Sequence, residues 1–291
     1  MTLSRYILHK RAVGLARKVQ RRVGRALGFA RTHQPFVPAP IPRILWLYWD
    51  QGFDQAPGIV QACAARWRAL HPGWDVRLLD RDSIEGLVAM PPLPDGIMKA
   101  HYADVLRTRL LATHGGVWAD PTIWVSRPLG EWLPFAAQAG FFAFTWIDGD
   151  RPFIGHTYRR TVGNWFLAAA PGNPLVNAWD RQVLDYWQGR GATDNYYWHN
   201  DALEYVARRN EAARDVWLRM PKMGAMPPHL VFALFSGRME QGRESDVQQA
   251  IADGTIPLHK LSWRMDGQFP AIAAFLEQAE QVAQSTGRAH T

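Results

Sequence analysis

From residue 43 onward, short apolar runs alternate with stretches of helical periodicity. Ile44 to Trp49, entered through Arg43, form an apolar run of the length that suits one buried parallel strand. Beyond Gly52, Pro57 stands where a first helical position would fall, and Val60, Cys63, Trp67 and Leu70 mark one helix face. His71-Pro72-Gly73 ends that helix, and Trp74, Val76 and Leu78 alternating with Asp75 and Arg77 predict a second strand. Asp82 with Glu85 three positions on resembles the start of another helix. A long helix is expected from Ile97 to His114, stopped by Gly115-Gly116. Val117-Trp118-Ala119 reads as the next strand, with Asp120 at its carboxyl end. The order β-α-β-α-α-β predicts a parallel sheet covered by helices. The second half is less regular, with strand-like pieces around Gly140–Trp146 and Asn164–Ala168 and helices near 174–188 and 200–209.

Residues 3–30 carry a different pattern. Leu15, Val19, Val23 and Leu27 recur every fourth position beside Ala12, Ala16, Ala26 and Ala30, with Arg17, Lys18, Arg21, Arg22 and Arg25 opposite. This predicts a basic amphipathic helix, weakened by Gly14, Gly24 and Gly28. Pro35, Pro38, Pro40 and Pro42 follow, so the chain divides into a basic segment (1–33), a proline-rich linker (34–42) and a domain (43–291). Charge sharpens that division. Ten Lys/Arg precede the first acid, Asp50, and removing them from the net charge of +7 leaves the remainder at −3. Three destinations stand for the tail: an anionic membrane surface, solvent, or nucleic acid. A nucleic-acid-binding body would carry the basic stripe itself, so nucleic acid is not an expected partner and anionic lipid bound through residues 1–31 is. No apolar run approaches the roughly 20 residues that cross a bilayer, and arginines interrupt every stretch that could form a signal-peptide core. One cysteine, Cys63, precludes an intramolecular disulfide and fits a reducing compartment. The expected location is cytoplasmic, peripheral at the inner face of the membrane.

Ligands of open α/β sheets collect outside the carboxyl ends of the strands, where Asp120 is expected. Asp104 and Arg107, three apart on the preceding helix, share a face. Two readings fit this spacing. The three residues can serve one diphosphate-bearing ligand, through a carboxylate for a cation, a guanidinium for phosphate and a carboxylate for ribose. Alternatively, Asp104 and Arg107 form an ordinary ion pair and Asp120 caps a turn before Pro121. Elsewhere, Asp148 and Asp150 read as a solvated turn, and Asp194, His199 and Asp201 as surface or substrate-side residues before metal ligands. Most of the 14 tryptophans read as core residues, with Trp165 and Trp198 as candidates for sugar contact.

From Ile41 to about Met265 the chain resembles the capsular polysaccharide synthesis family, relatives of the family 32 glycosyltransferases. The likeness rests on Ile41–Gly52 with Ala56-Pro57, His101-Tyr-Ala-Asp-Val-Leu-Arg107, Gly115-Gly-Val-Trp-Ala-Asp-Pro-Thr122, Asn164-Trp-Phe166, Gly172-Asn-Pro174, Pro228-His229 and His259-Lys-Leu-Ser-Trp263, in that order. It implies a GT-A-type fold, a Rossmann-like mixed sheet flanked by helices and merged with an acceptor-binding half. It further implies that Trp49 stacks on the base of a nucleotide sugar, with UDP-sugars favoured, and that Asp104 and Arg107 contact ribose and phosphate. Asp120 would hold Mn²⁺ or Mg²⁺, with His259 as a further ligand. His259, Lys260, Ser262 and Trp263 would close over the diphosphate, and Asn164 would lie near the transferred sugar.

The wider superfamily's Asp-x-Asp reads Asp120-Pro121-Thr122 here, which removes one negative ligand, so metal binding without substrate should be weak. A metal-independent arrangement using Lys260 and Arg107 is the alternative. The implied activity is transfer, retaining by analogy, to a saccharide or lipid-linked saccharide acceptor in surface polysaccharide synthesis. The competing readings are a protein-modifying glycosyltransferase and a non-catalytic membrane-attached binding protein.

Overall fold

The computed structural model describes residues 36–146, 161–240 and 242–285. These residues belong to one compact unit that begins at Phe36. The basic segment 1–33 and the Asp148/Asp150 turn lie outside the described residues, and residues 36–42 carry neither helix nor strand.

The first apolar run forms β1 (Ile44–Tyr48), with Leu45, Trp46, Leu47 and Tyr48 buried. The helix α1 (Gly58–Leu70) follows, with Pro57 one position earlier than expected, at the cap. No side chain at Pro57 caps the helix; Ile59 N–H instead donates to Asp266 Oδ1, 207 residues away, at 2.7 Å. After β2 (Asp75–Leu79) the helix expected at Asp82 is absent, and residues 83–87 form turns. Asp80 Oδ1 accepts from the backbone N–H groups of Asp82 and Ser83, a local alternative to helical pairing, and Pro91, Pro92 and Pro94 bar any continuation.

The long helix is α2 (Lys99–His114), two residues shorter than expected at its start. It ends at Gly115 and Gly116, whose φ values of 68° and 91° favour glycine. They are more than a helix stop. A Cβ at Gly115 would lie 2.9 Å from the Ala169 carbonyl oxygen, and one at Gly116 would lie 2.7 Å from that of Ile44. The pair therefore lets β3 (Gly116–Ala119) enter between its neighbours in the sheet.

Next come β4 (Ile123–Val125), α3 (Leu129–Ala136), β5 (Phe141–Thr145) and β6 (Val162–Ala169). The helix α4 (Pro174–Trp187) is capped by Asn173, whose side chain accepts from Leu175 and Val176 N–H. It is followed by α5 (Trp198–Arg209), α6 (Glu211–Arg219), α7 (Leu230–Phe235), α8 (Glu244–Ala252), β7 (Leu258–Lys260) and α9 (Phe269–Ser285).

The main sheet has the order β2-β1-β3-β6-β5. β1 is parallel to β2 and β3, whereas β6 is antiparallel to both β3 and β5. The parallel expectation thus holds for the first three strands only. β6 runs against these three and β5, antiparallel to β6, runs with them, so the last two pairings need no helical crossover. The result is a mixed sheet flanked by helices. Trp46, Trp118, Leu167 and Trp179 pack in the core on one side, and Leu45, Val117, Trp132, Phe142 and Phe166 in that on the other. A separate pairing of β4 with β7 sets Ile123 opposite Lys260, which brings the C-terminal part of the chain back beside Asp120-Pro121-Thr122.

Candidate active site

Because β1 and β3 are parallel neighbours, the residues that follow them, Trp49 and Asp120, emerge at the same edge. Asp120 is fixed from several sides. Its N–H donates to the Trp165 carbonyl at 2.7 Å, and Trp118 Nε1–H donates to its Oδ1 at 3.1 Å. Arg107 Nη2 stands 3.4 Å from Oδ1, and Lys260 Nζ stands 3.7 Å from Oδ2. Arg107 is almost fully buried, yet its charge is well supported: Nη1 donates to the Asn164 carbonyl at 2.5 Å and Nε to that of Ala103 at 3.1 Å. Its guanidinium carbon lies 5.0 Å from the Trp118 ring centroid.

Lys260 Nζ donates to Thr122 Oγ1 at 2.7 Å and to the Leu261 carbonyl at 3.0 Å. Burial pushes its pKa below the ordinary lysine value, opposed chiefly by the Asp120 charge. The threonine that replaces a second carboxylate is therefore the partner of a cation.

Asp104 turns into the protein. Burial alone would raise its carboxyl, but the charges of His199, when that ring is protonated, and of Arg107 outweigh it and hold the pKa below the usual carboxylate value. Asn164 Nδ2–H donates to Asp104 Oδ1 at 2.8 Å, and Arg107 Nη1 is 3.5 Å away. Thr108 spends its proton on the Asp104 carbonyl at 2.9 Å, so its oxygen accepts from His199 Nε2–H at 2.7 Å. That leaves His199 Nδ1 as an acceptor, 3.4 Å from Asn164 Nδ2. Burial pushes His199 down to about 3, so it is neutral at pH 7, and it stacks on Trp179 with centroids 4.3 Å apart. Trp198 Nε1–H donates to His101 Nδ1 at 3.1 Å, so that nitrogen is not available to donate to Asp104.

The other expected residues divide. Trp49, Ser262 and Trp263 line the same cavity as Asp120 and Lys260. Ser262 Oγ accepts from Arg264 N–H at 3.3 Å and caps the turn Trp263–Gln268. His259 does not join them. Alternation along β7 turns it away from Lys260; it is fully buried, and its Nε2 is paired with Ser126 Oγ at 3.1 Å. Asp194, His199 and Asp201 are also apart, since Asp194 pairs with Arg190 at 3.0 Å and Asp201 accepts from Asn195 at 3.0 Å. Trp198 is a core residue, whereas Trp165 lines a chamber beside Asp120. Among the described residues, no three of His, Cys, Asp or Glu are grouped to hold a metal ion.

Sequence reasoning missed Asp50. It accepts from Tyr48 Oη at 2.6 Å, with Arg81 at 2.8 Å and Lys99 at 3.3 Å. Burial opposes its ionisation, but the Tyr48 hydrogen bond and the two cations hold its pKa below the ordinary value.

Three cavities meet at Asp120. The largest, about 920 Å³, lies between Trp49, Asp50, Lys99, Arg107, Tyr196 and Trp263. An inner chamber of about 180 Å³ is lined by Asp104, Arg107, Asn164, Trp165, Tyr196 and His199. The third, about 440 Å³, includes His229, Arg238, Lys260, Ser262, Trp263 and Arg264. Asp104 opens to the inner chamber and not to the large cleft.

The family model described as capsular polysaccharide synthesis protein matches residues 6–278. The initiation-specific alpha-1,6-mannosyltransferase of Schizosaccharomyces pombe is 27% identical over 168 residues, 50% of this chain and 40% of that protein. The O-glycosyltransferase braB of Annulohypoxylon truncatum is 25% identical over 180 residues, 56% of this chain and 42% of that protein. The chain spans about two fifths of the length of the curated relatives it matches. The solved PaToxG glycosyltransferase superposes with a TM-score of 0.40 at 12% identity, over 75% of this chain and 85% of that one.

Proposed function

The chain belongs to the capsular polysaccharide synthesis protein family, and from that premise we propose that it is a glycosyltransferase moving a sugar from a nucleotide-sugar donor to a saccharide or lipid-linked saccharide. The observation that carries this reading is the meeting of three chambers at Asp120, with Arg107 and Lys260 on either side of it. The large cleft and the inner chamber share Ala100, Arg107, Asp120 and Tyr196, so together they form one path along α2. A donor laid along that path stacks its base on Trp49, sets its diphosphate at Arg107 and puts its sugar beside Asp104 and Asn164. Asp50, at the carboxyl end of β1, then replaces Asp104 as the carboxylate nearest the ribose.

As the bond to the sugar breaks, negative charge grows on the leaving diphosphate. Arg107, which lines both chambers of that path, is already held in place and needs little reorganisation to stabilise it. The residues at Asp120 do not fit a resident metal centre: the protein supplies one carboxylate with two cations within 4 Å, and Thr122 is engaged by Lys260. The charge stabilisation is therefore assigned to the protein's own cations. The basic residues of segment 1–31 carry the domain to anionic lipid, beside a membrane-bound acceptor.

Calorimetric titration with uridine and guanosine diphosphates tests the donor path. Trp49→Ala should cost roughly 1–3 kcal/mol, the scale of one base–aromatic stack, and Arg107→Gln should also weaken binding. Unchanged affinity in both variants refutes the path.

A further inference from the structure

The third cavity holds more positive charge than a donor lying along α2 uses. Its lining places Lys260, Arg238 and Arg264 against Asp120 alone among the described residues, and Asp120 is already paired with Arg107 from the other side. Lys260 is spent on Thr122 and Leu261. Arg238 and Arg264 are different. The Arg238 guanidinium carbon lies 5.1 Å from the Phe232 ring centroid, and that of Arg264 lies 4.7 Å from the Trp263 ring. Neither has an ion-pair partner among the described residues. A guanidinium resting over a ring still has N–H groups free for an anion, and its planar fork suits a phosphate or carboxylate.

The cavity's place supports a ligand other than the donor. It shares only Asp120 with the inner chamber, where the donor's sugar is placed; with the large cleft it shares Trp49, Asp120, Pro121, Trp263 and Arg264, whereas Phe232 and Arg238 line it and neither of the other two. It does meet the other two at the position where transfer would occur. Resting on the donor path proposed above, we infer that this cavity receives the acceptor, and that the acceptor is an anionic saccharide, phosphorylated or uronate-bearing, whose charge is bound by Arg238 and Arg264. Phe232 and Trp263 give the same ligand aromatic faces for its sugar rings, and the Ser262 hydroxyl lies on the same wall.

The test uses the full-length protein saturated with uridine diphosphate and titrated calorimetrically with glucose 6-phosphate, glucuronate and glucose. Either anionic sugar should bind at least about tenfold tighter than glucose, the scale of a charge-assisted contact, with a preference that shrinks as salt rises. Whichever of the two binds more tightly identifies the anion as phosphate or carboxylate. Arg238, which lines this cavity and not the donor cleft, is the discriminating position. Arg238→Gln should lose most of the preference for the anionic sugar and leave uridine diphosphate affinity unchanged, and Arg264→Gln should lose part of it. Both side chains are exposed, so circular dichroism should be that of the native protein. Equal binding of charged and neutral sugars overturns the inference. So does an Arg238→Gln variant that loses nucleotide affinity by the same factor, since its charge would then belong to the donor. If the nucleotide fails to bind but glucose 6-phosphate still binds through Arg238, the donor path falls and the anion site stands.

Discussion

His259 and His199 are both imidazoles folded into the interior, and each is pushed down to about 3 by burial. For such a base the folded state resists protonation, while the unfolded chain takes up a proton near the ordinary value of 6.5. The unfolded state therefore binds more protons between about pH 6.5 and 3, and stability falls as pH drops through that window. Urea midpoints measured from pH 7.5 to 4.5 should decline. His259→Phe, which removes one of the two groups away from the proposed site, should flatten that decline; an unchanged slope would contradict its neutral burial. At this scale the places of Asp104 and Arg107 on one helix face and of Asp120 at a strand end were legible from local periodicity, whereas their service to a ligand was implied only by the family resemblance. His199 and Thr108 were not, because their contact joins positions 91 residues apart. His259 was misplaced for a simpler reason. A two-residue alternation decides which of His259 and Lys260 faces Asp120, and only the β4–β7 register settles it.

Two devices tie whole elements to the site. Asp266, in the turn that carries Trp263 and Arg264, accepts from the first turn of α1. Asp266→Ala should cost about 1 kcal/mol, as for other lost caps, which for a chain of this size is about 2–4 °C in Tm. No change in thermal denaturation would show that the turn does not depend on it. Gly116 is less forgiving. A Cβ there meets the Ile44 backbone at 2.7 Å with φ at 91°, so neither neighbour can give way cheaply. Gly116→Ala should destabilise by at least about 2 kcal/mol, and native-like Tm in that variant would contradict the close approach of β1 and β3. The strands of the first half were readable from apolar runs and turn residues. The helix expected at Asp82 shows where that reading fails: an Asp80 side chain that captures two backbone N–H groups competes with a helix start there.

For the molecule as a whole, the three parallel strands followed from the order of elements, but the reversed β6, inserted between β3 and β5, did not. Nothing local in an apolar strand fixes its direction, and β3 pairs with a strand some 50 residues away. The charge division of the chain is a separate property, open to its own test. Removal of residues 1–31 should abolish co-sedimentation with anionic vesicles and leave nucleotide binding intact, since every proposed site residue lies beyond Tyr48; equal partitioning of the two proteins would end the membrane proposal. Without nucleotide, Mn²⁺ should show no saturable binding below about millimolar, because the protein offers it one carboxylate between two cations. Saturable micromolar binding would reveal ligands that this arrangement lacks. The central claim is that the chambers meeting at Asp120 form a transfer site in which Arg107 stabilises the leaving diphosphate, and the most direct measurement is release of labelled sugar from a panel of nucleotide sugars by the full-length protein and its Arg107→Gln variant. At least one donor should be consumed, and the variant should be slower by about 100-fold or more, the scale of losing one preorganised electrostatic group, with its circular dichroism unchanged. Consumption at the same rate by both proteins, or of no nucleotide sugar by either, would contradict the account.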